Sequence, residues 1–496
     1  MISFNVSVKS WLTLLVVLLM SLNLNSSSFS LPSYLNSLLN DGQYNQSQLS
    51  LARAMQLESA LYYDIENNPL FSIAWLKSAK ILARKDKSLA WQLHLYYRQR
   101  QNGWTNKRDT VYWQQQALRL GAWQAIVAYA YELSEQGEYE QAQSLLNEID
   151  IQHAANSKAI LAIDNGDITL LNELFKRKTI LKYLDVELIN AIKKFKILES
   201  DSTEISKHLL STTSKNSAQC LYPIQLFATK VAHLKQLEQK ILGIQAQPLF
   251  SRAFCFQPIK YINPKRFSCS HTPSSRIDCD IEQLANHSSA DTRYIGLVAP
   301  KGAANVNNGV LFIDSDDTQQ VIEHELLHLL GFIDEYPLPE LHSACDNTGA
   351  IALNVVNLEH KQFSSDKHAR DYVSKFVPWI DLIDKGTPIT HKSNEGLSLG
   401  TPSNFKQNIG LFKAKTCERH PNTSTTAFKP LSRTTKLQYF EVSISANYEE
   451  IFLQHQHKND FLMPSYHYKI GLKYKLMNKE KQANIWFEKS MLADSR

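Results

Sequence analysis

The residues whose types and spacing point to chemistry are His324-Glu325-Leu326-Leu327-His328. On a helix, residues four apart lie on one face, so both imidazoles can reach one metal ion. Glu325 can lean over the open coordination position and take a proton from water there. Zinc (Zn2+) is the expected metal, because imidazoles suit it and it lowers the pKa of water to about 7. Asp334 lies ten positions after His324, where a third ligand can arrive.

These residues need a helix and a turn to position them. Asp317, with Gln320 three residues on, forms a loose capping-box pattern for the helix start. Ile322, Leu326, Leu329 and Leu330 make an apolar stripe roughly opposite the histidines. Gly331 sits where a helix often ends through a left-handed residue. That ending swings the following residues back toward the metal. Upstream, Tyr294–Ala299 reads as a buried strand, and Gly309–Ile313 as another that ends just before the helix. Between them, Gly302–Asn308 reads as a turn-rich link.

The rest of the chain supplies context. A length of 496 residues predicts three or so domains. The apolar fraction of 43% is that of an ordinary globular protein. A net charge of +5 is small for this length, and no long Lys/Arg run occurs, which argues against nucleic-acid binding. Residues 1–30 read as a signal peptide or signal anchor. Lys9 precedes the apolar run Trp11–Met20, and a Ser/Asn-rich stretch follows. The chain is therefore expected to be secreted or periplasmic, with membrane anchoring as the alternative. The six cysteines (Cys220, Cys255, Cys269, Cys279, Cys345 and Cys417) are an even set, as disulfides in an exported chain require. None forms a C-x-x-C pair. Cys345 and Cys417 bracket the region after the His-bearing helix.

Residues 34–245 read as an α-helical domain with very few Pro and Gly. Trp75, Ala79, Ala90 and Leu95 recur as Trp113, Ala117, Ala128 and Leu133, each 38 positions on. Small Ala positions alternating with large aromatics are what stacked helix pairs need. The stretch Ala125–Ala142 resembles a tetratricopeptide or Sel1-type repeat, which implies a surface for a protein partner. Residues 456–496 read as one more such helix pair. The composition shifts near Cys255, and 250–455 forms the expected catalytic domain.

At the helix the chain resembles a known group. His324-Glu325-x-x-His328-x-x-Gly331-x-x-Asp334 is similar to the metzincin signature, with Asp where most members carry His. The following Glu335-Tyr336 resembles the bacterial IgA-peptidase-type metallopeptidases. So do Pro378–Ile383, Gly386–Ile389, Ile409–Phe412 and Lys429-Pro430, which fall in that family's order. The resemblance covers roughly residues 294–437. The spacing from His328 to Asp334 is one residue shorter than in that family, so Glu335 stays open beside Asp334 as third ligand. Gluzincins instead take a Glu from a later helix, a role open to Glu359. The methionine turn of metzincins has two candidate positions, Leu437 in place of the methionine or Met463-Pro464. Tyr336 and Tyr439 could donate to an oxyanion, but tyrosine is common here and core packing is the expected role of both.

The expected fold is multidomain: an α-helical, repeat-like N-terminal domain and an α+β zincin/metzincin-like catalytic domain. The expected activity is that of an exported zinc endopeptidase acting on protein or peptide substrates, with His324, His328 and Asp334 as ligands and Glu325 as general base. Two alternatives are a repeat-mediated binding protein with a vestigial peptidase fold, and a zinc hydrolase acting on a non-protein amide. An intact Glu325 argues against the first.

Overall fold

A computed structural model describes residues 31–495 apart from 101–103, 200–220, 267, 270–275, 289–291, 300, 394–395, 422–423 and 458–459. The expected signal segment and Cys220 lie outside the described residues. The chain divides into two compact units, Met1–Lys158 and Ala159–Arg496.

The first unit is helical throughout its described length. Successive helices pack as antiparallel neighbours, Glu58–Asn67 on Ile73–Leu82, Lys87–Gln99 on Trp104–Arg119 and Trp123–Glu135 on Tyr139–Asn147. Trp75 and Trp113 are both buried, and Ala79, Ala90 and Ala117 fill the spaces beside them. Small residues at these points let the helices approach closely enough for the indoles to be covered.

The second unit is built on a mixed sheet. Its strands are β1 (Tyr222–Ala228), β2 (Phe254–Phe256), β3 (Lys260–Tyr261), β4 (Tyr294–Val298), β5 (Asn305–Asn307) and β6 (Val310–Ile313). The order is β2-β1-β4-β6-β5, with β3 pairing β1. All pairings are parallel except β5 with β6. Strands β4 and β6 are buried at every residue, as their unbroken apolar sequences require for a sheet covered on both faces. β5 forms one edge. It lies inside the stretch that reads as a turn-rich link, so tertiary pairing with β6 overrides the turn preference of Asn. The turn into β6 depends on Gly309 (φ +75°), where a Cβ would meet the Pro464 carbonyl oxygen at 2.4 Å.

Helices cover the sheet. These are α1 (Val231–Gln245), α2 (Gln319–Leu329), α3 (Ala446–His455), α4 (Tyr466–Leu476) and α5 (Glu480–Asp494). Tyr466 and Ile470 of α4 pack in one core with Phe227, Ile295, Leu297, Val310 and Phe312. The C-terminal helix pair α4–α5 thus belongs to the sheet-bearing unit, where Arg293 and Asp494 form an ion pair at 3.2 Å. Beyond α2 come two small antiparallel sheets. One orders β7 (Gly349–Ala352), β8 (Val355–Glu359), β13 (Thr425–Lys429) and β12 (Phe412–Lys413) as β12-β13-β8-β7. The other orders β9 (Gln362–Phe363), β10 (Thr390–Ser393) and β11 (Gly396–Leu399) as β10-β11-β9.

Disulfides join Cys269 to Cys279 and Cys345 to Cys417. Cys255 is disulfide-bonded as well. Among the described residues, no helix is long and apolar enough to cross a membrane. The disulfides are compatible with an exported protein.

Candidate metal centre

Helix α2 spans Gln319–Leu329, and its cap corrects the sequence reading. Thr318 is the N-cap, its hydroxyl accepting from the Val321 N–H at 3.4 Å. The Asp317 carboxylate instead accepts from the Asp314 N–H at 2.7 Å, so it is not free to cap. The stripe Ile322, Leu326, Leu329 and Leu330 is completely buried. That burial anchors the helix and leaves His324 and His328 on a common face.

Each imidazole is fixed by a backbone carbonyl. His324 Nδ1 lies 2.8 Å from the Lys436 oxygen, and His328 Nδ1 lies 3.0 Å from the Phe332 oxygen. A carbonyl can only accept, so each ring, when neutral, carries its proton at Nδ1 and presents a lone pair at Nε2. The two Nε2 atoms are 3.3 Å apart.

Gly331 ends the helix with φ +89°, and a Cβ there would meet the Phe461 oxygen at 2.6 Å. The chain then turns back along the helix. The Asn354 side chain brackets Ile333, accepting from its N–H at 2.9 Å and donating to its oxygen at 2.8 Å. The Thr416 hydroxyl holds the Asp334 carbonyl at 2.9 Å. These contacts deliver Asp334 Oδ1 to 3.0 Å from His324 Nε2 and 3.3 Å from His328 Nε2. This oxygen is buried and has no hydrogen-bond partner. The neighbouring Cys417 is bridged to Cys345, which ties down the segment that carries Thr416.

Three lone-pair atoms therefore face one point with no hydrogen among them when both rings are neutral. Tetrahedral zinc with ligands at about 2.0–2.1 Å separates its donor atoms by about 3.3 Å, so this set fits the ion. The electrostatics ask for the same positive charge. Burial lowers His328, yet the facing Asp334 outweighs it and pushes the ring up to about 9. Burial works to raise Asp334, yet the two histidines hold its carboxyl below the ordinary range.

Glu325 stands beside this group, with a carboxylate oxygen within 4.8 Å of the imidazole nitrogens. Glu325 also opens onto a cleft. Burial raises the Glu325 pKa; the charges of His328, His324 and Arg276 oppose the rise. The cleft has a volume of about 360 Å³. Ala304, next to β5, lines one part of it, with Asp317 and Val321; Tyr336, Gln438, Tyr439 and Phe440 line another. Tyr336 is 41% exposed and Tyr439 is 53% exposed, and both stand on the cleft wall, which corrects the expectation that they pack in the core. Burial of its hydroxyl and the Asp334 charge both hold the Tyr336 phenol in its protonated form.

The other candidate carboxylates have different surroundings. Glu335 is 1% exposed and fully engaged. Its Oε2 takes the Lys429 ammonium and the Thr435 hydroxyl, each at 2.8 Å. Its Oε1 takes the Asn354 amide at 3.1 Å and the Tyr448 hydroxyl. Glu359 ends strand β8, not a helix, and pairs with Lys361 in a half-exposed ion pair. The Leu437 position adjoins the segment that carries Asp334: its oxygen accepts from the Glu335 N–H at 2.9 Å, and its side chain is buried. Met463 lies at the far end of α2, its N–H reaching the Leu329 oxygen at 3.3 Å.

Sequence reasoning missed Lys436, Glu323, Arg276 and the cleft residues Gln438 and Phe440. Lys436 acts through a backbone oxygen, which no side-chain pattern signals. Arg276 is brought in by a parallel bridge to Ala303, next to the cleft.

Compared with protein-family models and with curated proteins, the chain matches none. The resemblance to metzincins rests on the helix motif and the residues around it.

Proposed function

We propose that the sheet-bearing unit is an exported zinc-dependent endopeptidase. The observation that carries this reading is the convergence of His324 Nε2, His328 Nε2 and Asp334 Oδ1 around one buried point, beside a cleft that Glu325 faces. His324, His328 and Asp334 would hold the ion. Zinc there supplies Lewis acidity, polarising a scissile carbonyl and acidifying water.

The protein's own groups do the rest. Glu325 accepts the proton of the attacking water and passes it to the leaving amine nitrogen. Its raised pKa makes it a better acceptor than an exposed carboxylate. The half-exposed Tyr336 phenol is a donor for the oxyanion that develops at the carbonyl. The edge beside Ala304 and β5 suits an extended peptide, bound by backbone hydrogen bonds with little sequence preference. Residues 1–30 would direct export, and the helical unit would offer its paired helices to a protein partner.

Elemental analysis of the purified mature chain is the test. One zinc per chain is expected, lost in His324→Ala, His328→Ala and Asp334→Ala. A peptide-library digest, run beside non-protein amides, assigns the bond class. Wild-type protein that takes up no zinc when supplied with it would sink the reading. The compartment has its own test. Thiols counted under denaturing, non-reducing conditions should be absent from protein recovered from its native location, and six free thiols would contradict export.

A further inference from the structure

The residue before the first histidine, Glu323, points away from the cleft into a buried ion pair. Its Oε2 lies 2.9 Å from Lys436 Nζ, and the two side chains are 4% and 3% exposed. Glu323 Oε1 also accepts from the Gln319 amide at 2.8 Å and from the Gln247 amide. The Lys436 ammonium donates further to the Phe440 oxygen at 2.7 Å. Meanwhile the backbone oxygen of Lys436 receives the His324 Nδ1 proton at 2.8 Å. One residue thus grips α2 twice, by ammonium to Glu323 and by carbonyl to His324.

The other side of the same short segment is gripped as well. The Leu437 oxygen accepts from the Glu335 N–H, and the Thr435 hydroxyl donates to Glu335 Oε2. Residues 435–437 therefore bridge the helix that carries two donors and the limb that carries the third. Stability alone does not account for a charge pair here. Replacing a buried ion pair by apolar groups of similar volume is often neutral or stabilising. What such a replacement cannot reproduce is the aim of the carbonyl, which sets the tautomer and tilt of His324.

We infer that Glu323 and Lys436 are positioning residues, a charge-locked turn that aims the Lys436 carbonyl at His324 and so fixes the geometry of the metal donors. This rests on the metal-site reading above. It also assigns the segment bearing Leu437 a support role that depends on an ion pair and needs no methionine.

The test uses the full chain and zinc(II) or cobalt(II) alone as probe. In Glu323→Gln/Lys436→Met both charges are removed together, so neither is left buried and unpaired. Its melting temperature should stay near that of wild type. Its zinc affinity, measured by chelator competition, should fall about 10–100-fold, the usual effect of losing an outer partner of a metal-bound histidine. The visible spectrum of its cobalt(II) form should shift, because the ligand field reports donor geometry. Lys436→Arg keeps the ion pair and should restore most of the affinity. If the double variant does not fold, Glu323→Asp takes its place. That change keeps both charges and draws the turn by one methylene, and a several-fold loss of affinity is expected. A folded double variant, or Glu323→Asp, with wild-type affinity and an unchanged cobalt spectrum would overturn the inference while leaving the metal site intact. Wild type that binds neither ion would overturn the metal-site reading itself.

Discussion

The helical unit and the sheet-bearing unit bury polar groups in different ways. Among the described residues of the helical unit the buried polar side chains are few, and Asp64, Ser78 and His94 bond within or between neighbouring helices. Asp64 takes the Arg53 guanidinium at 2.9 Å and the Ser78 hydroxyl at 3.0 Å. His94 meets the Thr110 oxygen at 3.1 Å. These contacts tie one helix to the next. In the sheet-bearing unit, Glu323, His324, Glu325, Asp334, Glu335, Asn354, Lys429, Thr435 and Lys436 are all buried, and they come from segments far apart in the chain. Burying so many charges is costly unless they are paired and hydrogen-bonded. Nearly all of them are. The exception is the Asp334 oxygen that faces two imidazoles, so the unsatisfied atom lies where a cation would sit.

The comparison is most strongly tested at Glu325. Glu325→Gln keeps the shape but cannot take a proton. Hydrolysis should fall by at least about 10²–10⁴-fold with zinc stoichiometry unchanged. Cleavage at the wild-type rate would remove Glu325 from the mechanism.

Adjacent carboxylates sharpen the contrast next. Glu335→Ala leaves the Lys429 ammonium buried and unpaired, and should cost about 3–5 kcal/mol in denaturant unfolding. Asp334→Ala should abolish tight zinc binding, and because it removes the carboxylate facing His324 and His328 it should also cost the metal-free protein some stability, though less than Glu335→Ala. The reverse pattern, with Asp334→Ala keeping zinc and a folded Glu335→Ala losing it, would exchange their roles.

Within the helical unit, Trp75→Ala empties a fully buried site and should cost about 3–5 kcal/mol. Zinc content should not change. A loss of metal would show that the helical unit contributes more than its own packing.

The smallest effect concerns Asp164, a buried carboxyl outside the site whose Oδ1 also lacks a partner. Burial pushes it up to about 7, against the pull of Lys230. The folded state thus holds a proton that the unfolded chain has released. This contribution is full below the unfolded value near 4 and is lost as pH rises through about 7. Asp164→Asn should therefore flatten the stability profile between those limits, by roughly 2–4 kcal/mol in all. Parallel profiles for the variant and wild type would show that Asp164 is solvated.

Much of this was legible locally. The four-residue spacing of His324 and His328, the apolar stripe behind them and the helix-ending Gly331 are properties of one short segment, set by helix periodicity and the conformational freedom of glycine. The unbroken apolar runs of β4 and β6, and the paired Trp and Ala positions of the first unit, follow from the same local rules. The N-cap was not legible, because Asp317 is drawn into a contact with Asp314 while the Lys240 ammonium holds its carbonyl oxygen. Strand β5 was not legible either, because Asn-rich sequence favours turns until a partner strand satisfies its backbone. Among Asp334, Glu335 and Glu359, spacing favoured Asp334 and left the other two open. What spacing could not show is the company each carboxylate keeps. Only the tertiary structure consumed the oxygens of Glu335 with Lys429, Thr435, Asn354 and Tyr448, paired Glu359 with Lys361 at a strand end, and left Asp334 facing two lone pairs. Which acid is free depends on partners brought from distant segments, and spacing along the chain carries no record of them.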